Sequence, residues 1–230
     1  MDQAQAKPGT RGQAAYPLAL LAVFCVLWVG LAIDPLFRQD WLLENLLVII
    51  AVPGLVLAWR RWPFSNLTYT CLFVFLVFHE IGSHYTYSLV PYDAWWHTLT
   101  GRSLDELLGF ERNHYDRLVH FLYGLLVTPA AVELFGHYGR YPRTWAFLFP
   151  LFFVTAHSVI YELVEWAAAS VFGGELGVAY LGTQGDVWDA QKDMALALAG
   201  ALLSMVTLAL SGRVQWVVTG SERSLQERAE

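Results

Sequence analysis

Little in this sequence is charged or thiol-bearing. Of its 230 residues, 15% are Asp, Glu, Lys or Arg, against roughly 25% in ordinary soluble domains. That scarcity, beside so much apolar content, excludes a disordered chain and a typical soluble enzyme. The two cysteines, Cys25 and Cys71, both sit inside apolar runs. They offer neither a disulfide framework nor a metal spacing. Positive charge is also short: 14 Lys and Arg against 20 Asp and Glu leave a net −6. Phosphate binding needs concentrated Lys and Arg, so a nucleic-acid partner is excluded. Internal repeats and low-complexity segments are absent.

What is present is apolar. Hydrophobic residues make up 56% of the chain, with 10 Trp, 11 Tyr and 14 Phe, and mean hydropathy is +0.42. Trp and Tyr gather where helices cross the membrane–water boundary. The composition therefore specifies an integral membrane protein, an all-α polytopic bundle. A crossing helix needs about 20 mostly apolar residues. Six segments qualify, at about Ala14–Ile33, Leu42–Trp59, Leu67–Tyr87, His114–Phe135, Trp145–Phe172 and Trp188–Ser211. Asp34-Pro35, Arg60-Arg61-Trp62-Pro63, the stretch His137–Arg143 and Gly173-Gly174 separate them. The first segment has a basic lead-in and a Gly30-x-Ala32 string, yet its long apolar stretch and the five that follow read as an uncleaved span.

Lys and Arg set the expected orientation. With the N-terminus in the cytoplasm, Lys7, Arg11, Arg60, Arg61, Arg140, Arg143, Arg213, Arg223 and Arg228 fall inside. Arg38, Arg102, Arg112, Arg117 and Lys192 fall outside, so the positive-inside rule predicts N-in and C-in. The expected organisation is a cytoplasmic tail over residues 1–13, a membrane domain over 14–211 and a cytoplasmic tail over 212–230. Residues 90–113 form the long extracytoplasmic loop. There Trp95-Trp96 reads as an interfacial anchor, and Ser103-Leu104-Asp105-Glu106 as a capping box opening a short surface helix.

Polar residues near the spans fall toward the outer side. Glu80, His84 and Tyr87 lie at i, i+4, i+7, one helical face, and Asp116, His120 and Tyr123 repeat the spacing. Ser158, Glu162 and Glu165 do so again, and Asp186, Asp189 and Asp193 lie at i, i+3, i+7. A charge at the bilayer centre costs roughly 2.5–3.5 kcal/mol on insertion scales, so such groups turn inward and find partners. The stripes predict one polar pocket. Each also has a plainer reading. Asp116–Arg117 is then a boundary salt bridge, Asp186 an N-cap, His157 a hydrogen-bonded bundle residue, and His79 a helix-face residue pointing away from the site.

The strings Gly82-Ser83-His84-Tyr85-Thr86-Tyr87, Arg112-Asn113-His114-Tyr115-Asp116-Arg117-x-x-His120-Phe121, Tyr161-Glu162-Leu163-x-Glu165-Trp166 and Gly182-Thr183-Gln184-Gly185-Asp186-x-Trp188-Asp189-x-Gln191-x-Asp193 form a set. Together with Trp41-Leu42-Leu43-Glu44, it resembles the YjdF-like bacterial inner-membrane proteins over about Ala14–Ser211. The Asp116-Arg117-x-x-His120-Phe121 string, a Glu-bearing span and a late acidic helix start are also similar to VanZ-like membrane proteins. Arg117 stands where those carry Lys, and the Gly-Thr-Gln-Gly string is not theirs. The resemblances imply a shared bundle and site position at an inner membrane, with no reaction to carry over.

Three functions fit this reading. One is a metal-dependent hydrolase or transferase acting on lipid-linked envelope substrates. Its candidate ligands are His84, His120, Asp186, Asp189 and Asp193, for a zinc-like divalent ion. Glu162, Glu165 and Asp116 are its candidate catalytic acids and bases, and Tyr87, Arg117, Tyr123, Gln184 and Trp188 its candidate substrate contacts. No helix carries a tight His-Glu-x-x-His pair. The second is a carrier or binding protein for a small solute or lipid headgroup. The third is a non-catalytic envelope protein.

Overall fold

The computed structural model describes residues 11–172, 182–214 and 216–217. The N-terminal tail's first ten residues, most of the C-terminal tail and the Gly173-Gly174 break lie outside the described residues. Six long helices dominate: α1 (Arg11–Leu31), α2 (Arg38–Ala58), α3 (Asn66–Tyr85), α6 (Tyr115–Tyr138), α7 (Arg143–Phe172) and α8 (Asp189–Leu210). Between α3 and α6 come a 3₁₀ turn (Tyr87–Leu89) and two short helices, α4 (Tyr92–Thr100) and α5 (Leu104–Leu108). A two-residue parallel pairing joins β1 (Tyr141–Pro142) to β2 (Trp216–Val217).

Five of the long helices are apolar enough throughout to cross a bilayer. The sequence reading counts α3 as a sixth. Its apolar first half gives way to His79, Glu80, Ser83 and His84, which dilutes it. Packing against α1, α2 and α6 buries Phe75, Leu76, His79, Glu80 and Ser83 of α3, so the bundle rather than lipid surrounds those polar groups. α2 begins at Arg38, earlier than its apolar pattern suggests. Phe37 precedes it with no side-chain cap, so nothing local marks the start. The extra turn carries Asp40, which is buried.

α6 and α8 form the tightest pair. A Cβ on Gly124 would collide with the Ala197 carbonyl oxygen, and one on Gly200 with that of Phe121. Buried Ala197, Ala201 and Ser204 continue this small-residue seam, the usual way for membrane helices to approach closely. It sets α8's acidic first turns against α6. At the far end of α6, Glu133 accepts from the Ser65 N–H at 2.7 Å, the Ser65 hydroxyl at 2.5 Å and the Thr68 hydroxyl at 2.7 Å. A carboxylate there satisfies the first turn of α3 and complements its dipole.

The α4–α5 segment is tied by Asp93. Its carboxylate accepts from the N–H groups of Leu104 (2.5 Å) and Asp105 (3.0 Å) and from the Ser103 hydroxyl (3.1 Å). Those donors, the Asp105 N–H first, hold the carboxyl below the usual range. The Ser103 oxygen in turn accepts from the Glu106 N–H at 3.1 Å, capping α5. Burial and the Asp105 carboxylate push the Tyr92 phenol up to about 12. Trp95, Trp96, Leu99, Leu107 and Leu108 remain exposed.

Candidate functional site

The polar residues converge where α2, α6 and α8 begin and α3 and α7 end. The Gly182–Asp186 turn forms one wall. Gly182 (φ +60°) and Gly185 (φ +86°) occupy the left-handed region that glycine enters freely. Gln184 sits there too, at φ 47°. Gln184 accepts from the Asn113 N–H at 3.0 Å and donates to its carbonyl at 3.0 Å. Arg112 donates to the Thr183 carbonyl at 2.8 Å. The glycine-rich string is thus a turn built to lie on the start of α6.

Below it lies an ion-pair cluster. Arg112 reaches Asp189 at 2.8 Å, and Arg117 reaches Asp186 at 2.5 Å and Asp189 at 3.2 Å. Lys192 pairs with Asp186 at 2.5 Å. The Lys192 ammonium, the Trp188 N–H and then Arg117 hold the Asp186 carboxyl well below the usual range.

Deeper in, His120 is the hub. One ligand-type atom each from Asp116, His120 and Asp193 lie within 4.8 Å of one another, and so do those of His120, Glu162 and Glu165. His120 Nε2 stands 3.5 Å from both Asp116 Oδ1 and Glu162 Oε1, long for a hydrogen bond. Among the described residues, the ion pairs of Arg112 and Arg117 go to Asp186 and Asp189 and none reaches this inner group. Glu162 Oε1, Asp189 Oδ2 and Asp193 Oδ1 are buried with no hydrogen-bond partner. Buried polar atoms are rarely left so. Four carboxyl groups around one imidazole cannot all carry charge without a cation among them.

A second network adjoins it. His79 Nε2 lies 3.2 Å from the Glu44 carbonyl oxygen, which can only accept, so Nε2 carries the proton. Nδ1 then accepts from the Tyr87 hydroxyl at 2.5 Å. The Glu44 carboxylate accepts from the Tyr161 hydroxyl at 2.7 Å, and Asp40 accepts from Thr86 at 3.2 Å. Thr86 (φ 57°) and Tyr87 (φ 30°) are both left-handed. A β-branched residue there is a strained outlier of the kind that gathers at functional sites. Gly82 makes room for the Tyr87 ring, whose Cε1 a Cβ would meet at 2.6 Å. Asp40, Glu44, Asp116 and Glu165 surround a small gap with Tyr87 and Gly182, which joins the two networks.

The sequence-predicted residues thus divide. Asp116, His120, Glu162, Glu165 and Asp193 come together, with Asp189 beside them through the arginines. Asp186 and Arg117 pair with each other at the rim. Tyr87 and Tyr123 line a cavity next to the centre. Gln184 holds the turn, and Trp188 is 62% exposed. The structure does not bring His84 to the centre: its Nδ1 donates to the Leu31 carbonyl at 2.8 Å, because that face of α3 meets α1. His79, expected to point away, is instead 2% exposed and bonded to Tyr87. His157 donates to its own helix, at the Phe153 carbonyl. Sequence reasoning missed Asp40, Glu44 and Arg112 as site residues. Asp40 and Glu44 stand at i, i+4 on the first turns of α2, a spacing the sequence carries, whereas Arg112 is a single residue in the loop before α6.

The cavity measures about 460 Å³, within the range of ligand pockets. α2 and α7 form its long walls, with Asp116, His120 and Ser158 among its polar lining.

The sequence matches the family described as "Predicted membrane protein (DUF2238)" over residues 16–213. It is 38% identical over 193 residues to "Inner membrane protein YjdF" of Escherichia coli (strain K12), covering 83% of this chain and 87% of that protein. No solved structure matches it.

Proposed function

This chain belongs to the DUF2238 family of predicted membrane proteins, and from that premise we propose that it is an inner-membrane, metal-dependent hydrolase or transferase acting on lipid-linked envelope substrates at the extracytoplasmic face. The observation that carries the reading is the inner group itself. His120, shared by two carboxylate pairs, sits among buried carboxyl oxygens that no protein donor satisfies. A divalent ion would supply the missing positive charge, and imidazole with carboxylates suits a zinc-like metal. When bound, it would activate water or polarise a phosphoryl or ester oxygen. Asp116, His120 and Asp193 form one candidate ligand set. Glu162 and Glu165 stand against the same imidazole, able to ligate or to take the proton from attacking water. Arg112 and Arg117 fix Asp189 beside them and leave a cationic rim.

The family relative is named an inner membrane protein, and the same membrane is assigned to this chain. The Lys and Arg distribution supports both termini in the cytoplasm, with residues 90–113 outside. The α4–α5 segment, with Trp95, Trp96 and Leu99 exposed, suits an interfacial cover over the site.

Elemental analysis tests the reading. Protein purified without chelators should hold near-stoichiometric divalent metal. His120→Ala and Asp193→Ala should each lose it while keeping their helical content. Metal-free wild-type protein overturns the proposal and leaves the inner group a structural or ligand-gripping cluster.

A further inference from the structure

The cavity beside the metal-type centre opens sideways. Leu46 and Ile50 on α2, and Ile160 and Val164 on α7, line it. All four are also more than half exposed on the outer surface of the bundle. That surface faces acyl chains, so the mouth between α2 and α7 is a portal into the bilayer rather than into water. Inside, the walls are apolar, but Asp116, His120 and Ser158 share the lining. Ser158 is 2% exposed and its hydroxyl has no hydrogen-bond partner, so one wall carries an unmet polar group facing a ligand-sized space. The Tyr161–Glu44 hydrogen bond crosses from α7 to α2 within this lining. It ties the two walls together at that point.

We propose that this cavity takes the apolar chain of a membrane amphiphile bearing a phosphate head. The chain enters between α2 and α7, and the head comes to His120. The inference rests on the metal reading above, because an otherwise acidic centre receives an anionic head only through a bound cation. The apolar walls select the tail, and the unmet Ser158 hydroxyl is available to a head-group oxygen. A water-soluble phosphate would leave the long apolar part of the cavity empty. A cationic head would compete with the metal.

A photoactivatable dodecyl phosphate, added to the full chain in nanodiscs, tests this. Adducts mapped by mass spectrometry should concentrate on the α2 and α7 cavity walls. Excess dodecyl phosphate should displace them at least tenfold better than dodecanol or inorganic phosphate. Ile160→Trp, at the exposed rim, and Leu47→Trp, further in, should each cut the cavity adducts at least tenfold. Leu18→Trp, in the separate apolar groove between α1, α2 and α3, should not. Adducts spread evenly over all lipid-facing helices overturn the proposal, and so does equal displacement by dodecanol. Metal measured in the same samples separates the two claims. Metal present with scattered adducts sinks this inference alone. Cavity adducts on protein that holds no metal sink the cation-held head and the reading beneath it.

Discussion

At the scale of single residues, hydrogen-bond partners decide roles that residue type leaves open. Of His79, His84 and His120, only His120 ends among carboxylates. His79 is locked between an acceptor-only carbonyl and the Tyr87 hydroxyl. Its proton therefore sits on Nε2, and ¹⁵N shifts of the labelled ring should report that tautomer. Tyr87→Phe removes the donor and leaves Nδ1 buried and unpaired. The expected cost is about 1–3 kcal/mol, read by reversible unfolding in detergent; an unchanged midpoint would refute the bond. Asp186 makes a pH prediction. Its folded carboxyl lies below the ordinary value of about 3.9, so its interactions stabilise the fold fully above that value. They fade as pH falls through the depressed folded value. Asp186→Asn should therefore be less stable than wild type by a constant margin from pH 7 down to about pH 4. The margin should narrow only below that. Narrowing between pH 7 and pH 5 would contradict the sign.

At the scale of elements, the α6–α8 seam governs the site. Gly124 and Gly200 let the two backbones touch, and that approach carries Asp193 to within ligand distance of His120. Gly124→Leu should cost about 1–3 kcal/mol or more through overpacking. It should also drive the helices apart and lower metal content, although residue 124 touches no ligand. Metal retention in a folded Gly124→Leu protein would break this link. The Glu133 clamp on the first turn of α3 works at the opposite end. Sequence reading left Glu133 aside because its partners, Ser65 and Thr68, lie in another helix.

At the scale of the molecule, orientation is the open quantity that an experiment reads directly. With Cys25 and Cys71 replaced by serine, a cysteine at exposed Thr98 should react with a membrane-impermeant maleimide on intact spheroplasts. One at Arg140 should react only after lysis. The reverse pattern would invert the bundle and put the centre on the cytoplasmic side. Apolar length and punctuation made the membrane class and the long helices legible, because crossing a bilayer constrains every residue of a span. Local spacing also made Asp116, His120, Glu162, Glu165 and Asp193 legible, because i, i+4 periodicity is a property of one helix. Which stripes face one another is a property of several. Packing alone turned His84 to α1 and His79 to Tyr87, brought Asp40 and Glu44 from α2 to the site, and opened the cavity between α2 and α7. Contacts between distant segments leave no periodic trace in the sequence, so only the tertiary structure could choose among them.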